Sequence, residues 1–211
     1  MNYSQAVFYK SVNALSQLPK DSLAEIAFAG RSNAGKSSAL NILTNIKGLA
    51  KTSKTPGRTQ LINYFTLTPG KFLVDLPGYG FAKVPLKIKA HWNKLLASYL
   101  ETRNPLRGVV LLMDIRHPLK VGDQQMIDWL SYYEIPIHIL LTKADKLNTS
   151  PAHNALLEVR KRLANITTID IEVQLFSSLN RQGLAQLTAK LDGWLTPDEK
   201  PLSIRDLPEQ L

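Results

Sequence analysis

The sequence predicts an α/β fold in three layers, a mostly parallel six-stranded sheet with helices on both faces. Three observations carry this prediction. Apolar, β-rich runs alternate with longer amphipathic stretches. Runs such as Val109-Val110-Leu111-Leu112-Met113 are apolar at every position, as a strand covered on both faces requires. A Gly-bearing turn also joins the first such run directly to a helical stretch.

The predicted strands are Glu25 to Ala29, Leu61 to Leu67, Phe72 to Asp75, Val109 to Asp114, Ile135 to Thr142 and Ile171 to Phe176. The predicted helices are Lys36 to Thr44, Lys87 to Glu101, Gly122 to Tyr132, Pro151 to Ala164 and Gly183 to Leu195. Pro151 suits a helix start, with Ser150 before it as the N-cap. Trp92, Trp129 and Trp194 fall in three of these helices and are expected to pack on the sheet. One domain over 1–195, including a short N-terminal extension, and a tail over 196–211 follow from this layout. Lys47 to Gln60 and Pro77 to Lys87, rich in turn residues, read as mobile loops at strand ends, where α/β proteins carry function.

Composition narrows the function. The 211 residues are 44% apolar and 20% charged, which suits one globular domain and argues against disorder. The absence of cysteine excludes a disulfide scaffold, a thiolate metal site and a Cys nucleophile. His91, His117, His138 and His153 stand singly, which argues against a His-based zinc site. No apolar run approaches the roughly 20 residues that span a bilayer. Met1 to Lys10 lacks the apolar core of a secretion signal. A soluble, cytoplasmic, monomeric protein without a membrane partner is expected. The net charge of +9 is concentrated: residues 31–120 hold 15 Lys and Arg against 3 Asp and Glu, and the remainder 11 against 14. A basic middle suits a polyanionic partner, although scattered lysines that keep a protein soluble give the same total.

The chemistry concentrates after the first strand. Gly30-Arg31-Ser32-Asn33-Ala34-Gly35-Lys36-Ser37 fits the phosphate-loop pattern G-x-x-x-x-G-K-[ST], with Ser38 following. The two glycines let the backbone curl so that successive N–H groups face phosphate oxygens, and the following helix adds its N-terminal partial charge. Lys36 is expected to reach the β- and γ-phosphates, and Ser37 to ligate Mg²⁺. Asp75-Leu76-Pro77-Gly78 ends a later strand. Its carboxylate suits Mg²⁺, and the Gly78 N–H a γ-phosphate. Thr142-Lys143-Ala144-Asp145 ends another. A carboxylate there accepts from the N1–H and N2–H₂ edge of guanine, an edge adenine lacks, while the Lys143 stem lies along the base. Ser177-Ser178-Leu179 follows the last strand, which ends at Phe176, placing the Ser178 N–H toward the guanine O6. Four ordered pieces on four strand ends are far more specific than any one of them.

The set GRSNAGKS, TPGRTQ, DLPGYG, TKAD and SSL resembles the Era-like translation-factor GTPases, and within them the bacterial EngB (YihA/YsxC) group of ribosome-assembly GTPases. The resemblance covers roughly Phe8 to Leu195, with DLPGYGFAKV its most specific stretch. It implies a P-loop GTPase fold and Mg²⁺-dependent hydrolysis of GTP to GDP at a slow intrinsic rate. It also implies a role in maturing the large ribosomal subunit, whose precursor and rRNA would be partners, and a need in normal cell division. By the same resemblance Gly57, Arg58 and Thr59 belong to switch I, with Thr59 closing over Mg²⁺ and the γ-phosphate and Thr55 as its competitor. Thr142 replaces the usual Asn of the fourth motif, which leaves open whether a side-chain tether runs from there to the phosphate loop, while the Asp145 contact stands.

Ras-type enzymes orient the attacking water with a Gln after the Asp-x-x-Gly element, where this chain has Tyr79. Two sources of transition-state charge stand open: a partner, or a K⁺ held by Asn33, which resembles the K⁺-binding Asn of related enzymes. Asn33 reads equally well as a loop residue tolerant of left-handed backbone. Lys36, Thr59 and Asn33 are thus the candidate catalytic residues. The basic excess overlaps both loops (Lys47, Lys51, Lys54, Arg58, Lys83, Lys87, Lys89), so rRNA is expected on the switch face. Arg116 and His117 extend that surface or are plain solvated loop residues. A phosphotransferase acting on a small-molecule acceptor is the alternative, and a vestigial nucleotide site on an RNA-binding module a third reading.

Overall fold

A computed structural model describes residues 1–50, 61–80 and 86–196, the side chains of 86–93 excepted. The chain runs β1 (Val7–Val12), β2 (Ala24–Gly30), α1 (Lys36–Thr44), β3 (Ile62–Thr68), β4 (Lys71–Asp75), α2 (Leu86–Thr102), β5 (Leu106–Asp114), α3 (Val121–Tyr132), β6 (Ile137–Thr142), α4 (Thr149–Leu163), β7 (Ile171–Leu175) and α5 (Leu184–Leu195). The strands form one sheet in the order β1-β3-β4-β2-β5-β6-β7. Pairing is parallel from β4 to β7 and antiparallel at β1–β3 and β3–β4. Helices α1 and α5 cover one face; α2, α3 and α4 cover the other. Strand β5 shows why its sequence is apolar throughout. Val109, Leu111 and Met113 enter the core beneath α2–α4, and Val110 and Leu112 the core beneath α1 and α5.

The sheet has seven strands rather than six. The extra strand, β1, is an edge strand whose Val7, Phe8 and Tyr9 are exposed, with a register shift between Phe8 and Lys10. It lacks the buried alternation that marks a strand in sequence and takes its ladder from β3. Helix α4 also begins earlier than predicted, at Thr149 after Asn148. Pro151 therefore lies inside the first turn, where its missing N–H has no intrahelical partner to lose. Ser150 is helical rather than a cap.

The tryptophan prediction holds where side chains are described. Trp129 packs against the core of the α2–α4 face. Trp194 lies flat on β5 because residue 108 is glycine, where a Cβ would stand 2.6 Å from the indole. Trp92 lies outside the described side chains. At the N-terminal end of β2, the fully buried Glu25 is paired by Arg103, which donates from Nε at 2.9 Å, and accepts the Tyr99 hydroxyl at 2.8 Å. Arg103 also donates to the Pro19 carbonyl at 2.8 Å. A buried carboxylate is tolerated only when so paired. The network pins α2 to the end of the sheet opposite the motif residues.

Candidate nucleotide site

Strands β4, β2, β5 and β6 are parallel and in register, so their C-terminal ends emerge together, with Asp75 opposite Phe28, Gly30 opposite Leu112 and Asp114 opposite Thr142. Such an edge is where ligands bind in open α/β sheets. Gly30 ends β2 in close contact: a Cβ would lie 2.8 Å from the Leu112 carbonyl oxygen. Gly35 takes φ 95°, a left-handed conformation that glycine adopts without strain, and caps α1 with no side-chain hydrogen bond. Lys36, Ser37 and Ser38 form the first turn of α1. The phosphate loop is thus built as its spacing predicts, with one difference: not all its amides turn inward. The Ser32 N–H donates to the Tyr79 carbonyl at 2.9 Å and the Ala34 N–H to the Arg31 carbonyl at 2.9 Å. Asn33 sits at φ 64°, in keeping with its reading as a residue tolerant of left-handed backbone.

The Lys36 ammonium and the Asp75 carboxylate, both largely buried, meet in an ion pair. The residues expected to hold the phosphates and the metal are therefore adjacent and mutually neutralised. Among the described residues no three His, Cys, Asp or Glu cluster as a metal cage. A hydroxyl from Ser37 and a carboxylate from Asp75 are oxygen donors, few in number, which fits Mg²⁺ shared with substrate phosphates rather than caged by protein. Leu76 and Pro77 are buried, and the Leu76 N–H donates to the Phe28 carbonyl at 3.0 Å, holding the segment before Gly78 against β2.

The fourth motif resolves what its departure from Asn leaves open. Thr142, although not Asn, does tether the phosphate loop: its hydroxyl donates to the Ala34 carbonyl at 2.6 Å, with the Met113 carbonyl at 3.1 Å. A short hydroxyl suffices because Gly35 passes so close that a Cβ there would lie 3.7 Å from Thr142. Lys143, at φ 59°, donates its ammonium to the Asn33 carbonyl at 2.8 Å and to Asp114 Oδ2 at 2.9 Å. The guanidinium of Arg116 forks onto Asp114 as well and, as the main cause, holds that carboxyl well below the usual carboxylate range. Arg116 is therefore an exposed loop residue, as its solvated reading has it, and ion-paired as well.

Asp145 follows Ala144, whose N–H donates to the Phe176 carbonyl at 3.1 Å. That bond places the loop after β7 beside the fourth motif. The buried Ser177 then donates its hydroxyl to Asp145 Oδ1 at 2.6 Å, the main cause of a lowered carboxyl pKa. Ser178 lies next in this loop. The Asp145 carboxylate is thereby oriented and kept charged, as an acceptor for a pair of N–H donors must be.

Gly57, Arg58 and Thr59, with Thr55, Lys51, Lys54 and Lys83, lie outside the described residues, as do the side chains of Lys87 and Lys89. Three positioning residues were not anticipated. Asp114 anchors Lys143. Asn41, four residues after Ser37, holds Ala50 by both its N–H (2.8 Å) and its C=O (3.1 Å). Asp123 receives the Tyr79 hydroxyl at 2.9 Å. An acid at the last position of β5 was a usable signal for the first; the second, a contact between residues nine positions apart, left none. A cleft of about 560 Å³ bordered by α4 and β7, lined by Arg160, Ile169 and Glu172 among others, contains none of the motif residues.

A phosphate loop, an acid-ended neighbouring strand and an oriented acidic motif at the same sheet edge define a P-loop GTPase domain. A family model described as "50S ribosome-binding GTPase" matches residues 25–143. The chain is 53% identical over 211 residues to a "Probable GTP-binding protein EngB" of Aeromonas salmonicida, covering 100% of this chain and 97% of that protein. It is 57% identical over 197 residues to the protein so named from Vibrio vulnificus, covering 93% and 91%. This chain belongs to the EngB family of GTP-binding proteins. The fold is shared by a crystal structure described as a probable GTP-binding protein engB (TM-score 0.65, 21% identity, 81% of this chain and 98% of that one). It is shared too by Aquifex aeolicus Era bound to GDP and AlF4⁻ (TM-score 0.63, 19% identity, 89% and 61%).

Thr142→Val is expected to lower GDP affinity about three- to tenfold, because it strands the Ala34 carbonyl without its donor. Thr142→Ser is expected to keep wild-type affinity in the same titration. Equal affinity for all three proteins would remove the tether from the account.

Proposed function

We propose that this protein binds GTP with Mg²⁺, hydrolyses it slowly to GDP and phosphate, and uses the difference to time a step in large ribosomal subunit assembly. The observation that carries the reading is the Asp145 carboxylate, oriented by Ser177 at the same sheet edge as the phosphate loop. Lys36 and the loop amides neutralise phosphate charge. Ser37, Thr59 and Asp75 would hold Mg²⁺, which when bound would supply Lewis-acid charge at the phosphates. Asp145 selects guanine, with Lys143 along the base and Ser178 toward O6. Gly57, Arg58 and Thr59 complete the site with Gly78, and γ-phosphate loss frees both segments.

The large-subunit precursor and its rRNA are the partners we assign, through the basic sequence segments 47–58 and 83–89. A family described as ribosome-binding, and the concentrated positive charge of residues 31–120, support this. The requirement in cell division would follow from ribosome supply. We place the protein in the cytoplasm as a monomer; among the described residues no helix is long and apolar enough to cross a membrane. One G domain over 1–195 with a tail over 196–211 accommodates these roles.

Sedimentation with large ribosomal subunits tests the switch. Binding is expected with a non-hydrolysable GTP analogue, to weaken with GDP and to fall steeply with salt. Equal binding with the two nucleotides would reject it.

Hydrolysis lacks the water-orienting Gln, and Tyr79, which replaces it, is buried. We assign the missing transition-state charge to a K⁺ held by Asn33, whose exposed side chain opens from the phosphate loop. Turnover is expected to be faster in K⁺ than in Na⁺, and Asn33→Ala to abolish the difference. Equal rates in both salts would shift the role to a partner.

A further inference from the structure

Tyr79 is held from two sides. Its main chain joins the phosphate loop: its carbonyl accepts the Ser32 N–H at 2.9 Å and its N–H donates to the Gly30 carbonyl at 3.3 Å. Its side chain turns the other way and is buried, with the hydroxyl donating to Asp123 Oδ1 at 2.9 Å in the first turn of α3. Asp123 is 1% exposed, and its second oxygen accepts the Lys120 N–H at 3.0 Å. Both carboxylate oxygens are therefore committed, one to the helix cap and one to Tyr79.

The fit around this bond is close. A Cβ at Gly122 would lie 3.0 Å from Tyr79 Cδ2, so the ring rests directly on the α3 backbone. A Cβ at Gly80 would lie 3.2 Å from Arg31 Nε, so the phosphate loop's own arginine covers the residue after Tyr79. The charge of Arg31 also favours the ionised form of Asp123, against a burial that pushes its carboxyl pKa up. Between these anchors sits Gly78, whose Cβ position is 3.5 Å from the Ser32 nitrogen and 3.6 Å from the Gly30 carbonyl oxygen. Gly78 is thus fixed at the mouth of the phosphate loop by the residue that follows it.

We propose that Tyr79 and Asp123 are positioning residues for the γ-phosphate response, their buried hydrogen bond anchoring Gly78 beside the phosphate loop so that helix α3 shares in sensing the third phosphate. The residue that cannot orient a water instead holds the backbone amide that meets the third phosphate. This deepens the switch reading above and rests on it. A hydrogen bond to a buried carboxylate is among the stronger kinds, and its loss is felt by whatever it orients. GDP offers Gly78 no γ-phosphate, so its binding is expected to depend on the anchor less than the analogue's does.

The test titrates GDP and a non-hydrolysable GTP analogue, with Mg²⁺, into wild type, Tyr79→Phe and Gly122→Ala, and records thermal unfolding of each. Tyr79→Phe removes only the hydroxyl; Gly122→Ala displaces the ring from the other side and serves if the first variant fails to fold. Both are expected to lose about tenfold in affinity for the analogue and less than about twofold for GDP. A purely structural role would lower the unfolding temperature and leave the ratio of the two affinities at its wild-type value, which would overturn the inference. Equal losses for both nucleotides would overturn it too. Should the wild type sediment equally with large ribosomal subunits in GDP and in the analogue, the switch reading fails and this inference with it. Nucleotide-dependent sedimentation, with variants whose affinity ratio equals that of the wild type, defeats the inference alone.

Discussion

The register of four parallel strands governs this molecule. Because β4, β2, β5 and β6 run the same way and pair in step, Asp75, Gly30, Asp114 and Thr142 leave the sheet at one edge. A shift of one residue in any strand would turn these side chains to the opposite face. That register is enforced by the two cores, since alternate residues of each central strand fill opposite layers with almost no exposure. Packing energy far from the edge therefore fixes the geometry at it.

Hydrogen bonds across strand ends then join the edge into one unit. Thr142 ties β6 to the phosphate loop through Ala34, and Lys143 ties the same loop to β5 through Asn33 and Asp114. Ser177 brings the β7 loop onto Asp145. The segments assigned to phosphate and to base in the proposed function are thereby mechanically continuous, so that little rearrangement would be needed to bind both ends of one nucleotide. The Lys36–Asp75 pair leaves no isolated charge in this largely buried place, where one would be costly.

How much of this could be read from the chain follows from the range of each interaction. Helix α1 was legible to the residue, since Gly35 must end the loop and apolar positions follow at helical spacing. Strands β2 and β4 to β7 were legible within a few residues because their buried positions carry apolar runs, continuous through most of β5 and β6. The phosphate loop was legible for the same local reason. Strand β1 was not, because an edge strand with one neighbour needs no buried face. The Thr142 tether was not, because its partner is a carbonyl 108 positions away and the distance depends on Gly35 passing close by. Asp123 was equally silent, since an acid in a first helical turn ordinarily serves the cap alone. Side-chain partners set by tertiary approach leave no periodic mark in sequence.

Recognition of a guanine base by Asp145 is the claim on which the others stand. Its most direct measurement is a competition titration of the wild-type protein, in Mg²⁺, with GDP and ADP, repeated on Asp145→Ala. The account predicts that GDP binds at least about a hundredfold more tightly than ADP, in line with two buried hydrogen bonds to a charged acceptor, and that the variant loses most of this difference. Comparable binding of the two nucleotides by the wild type would contradict it.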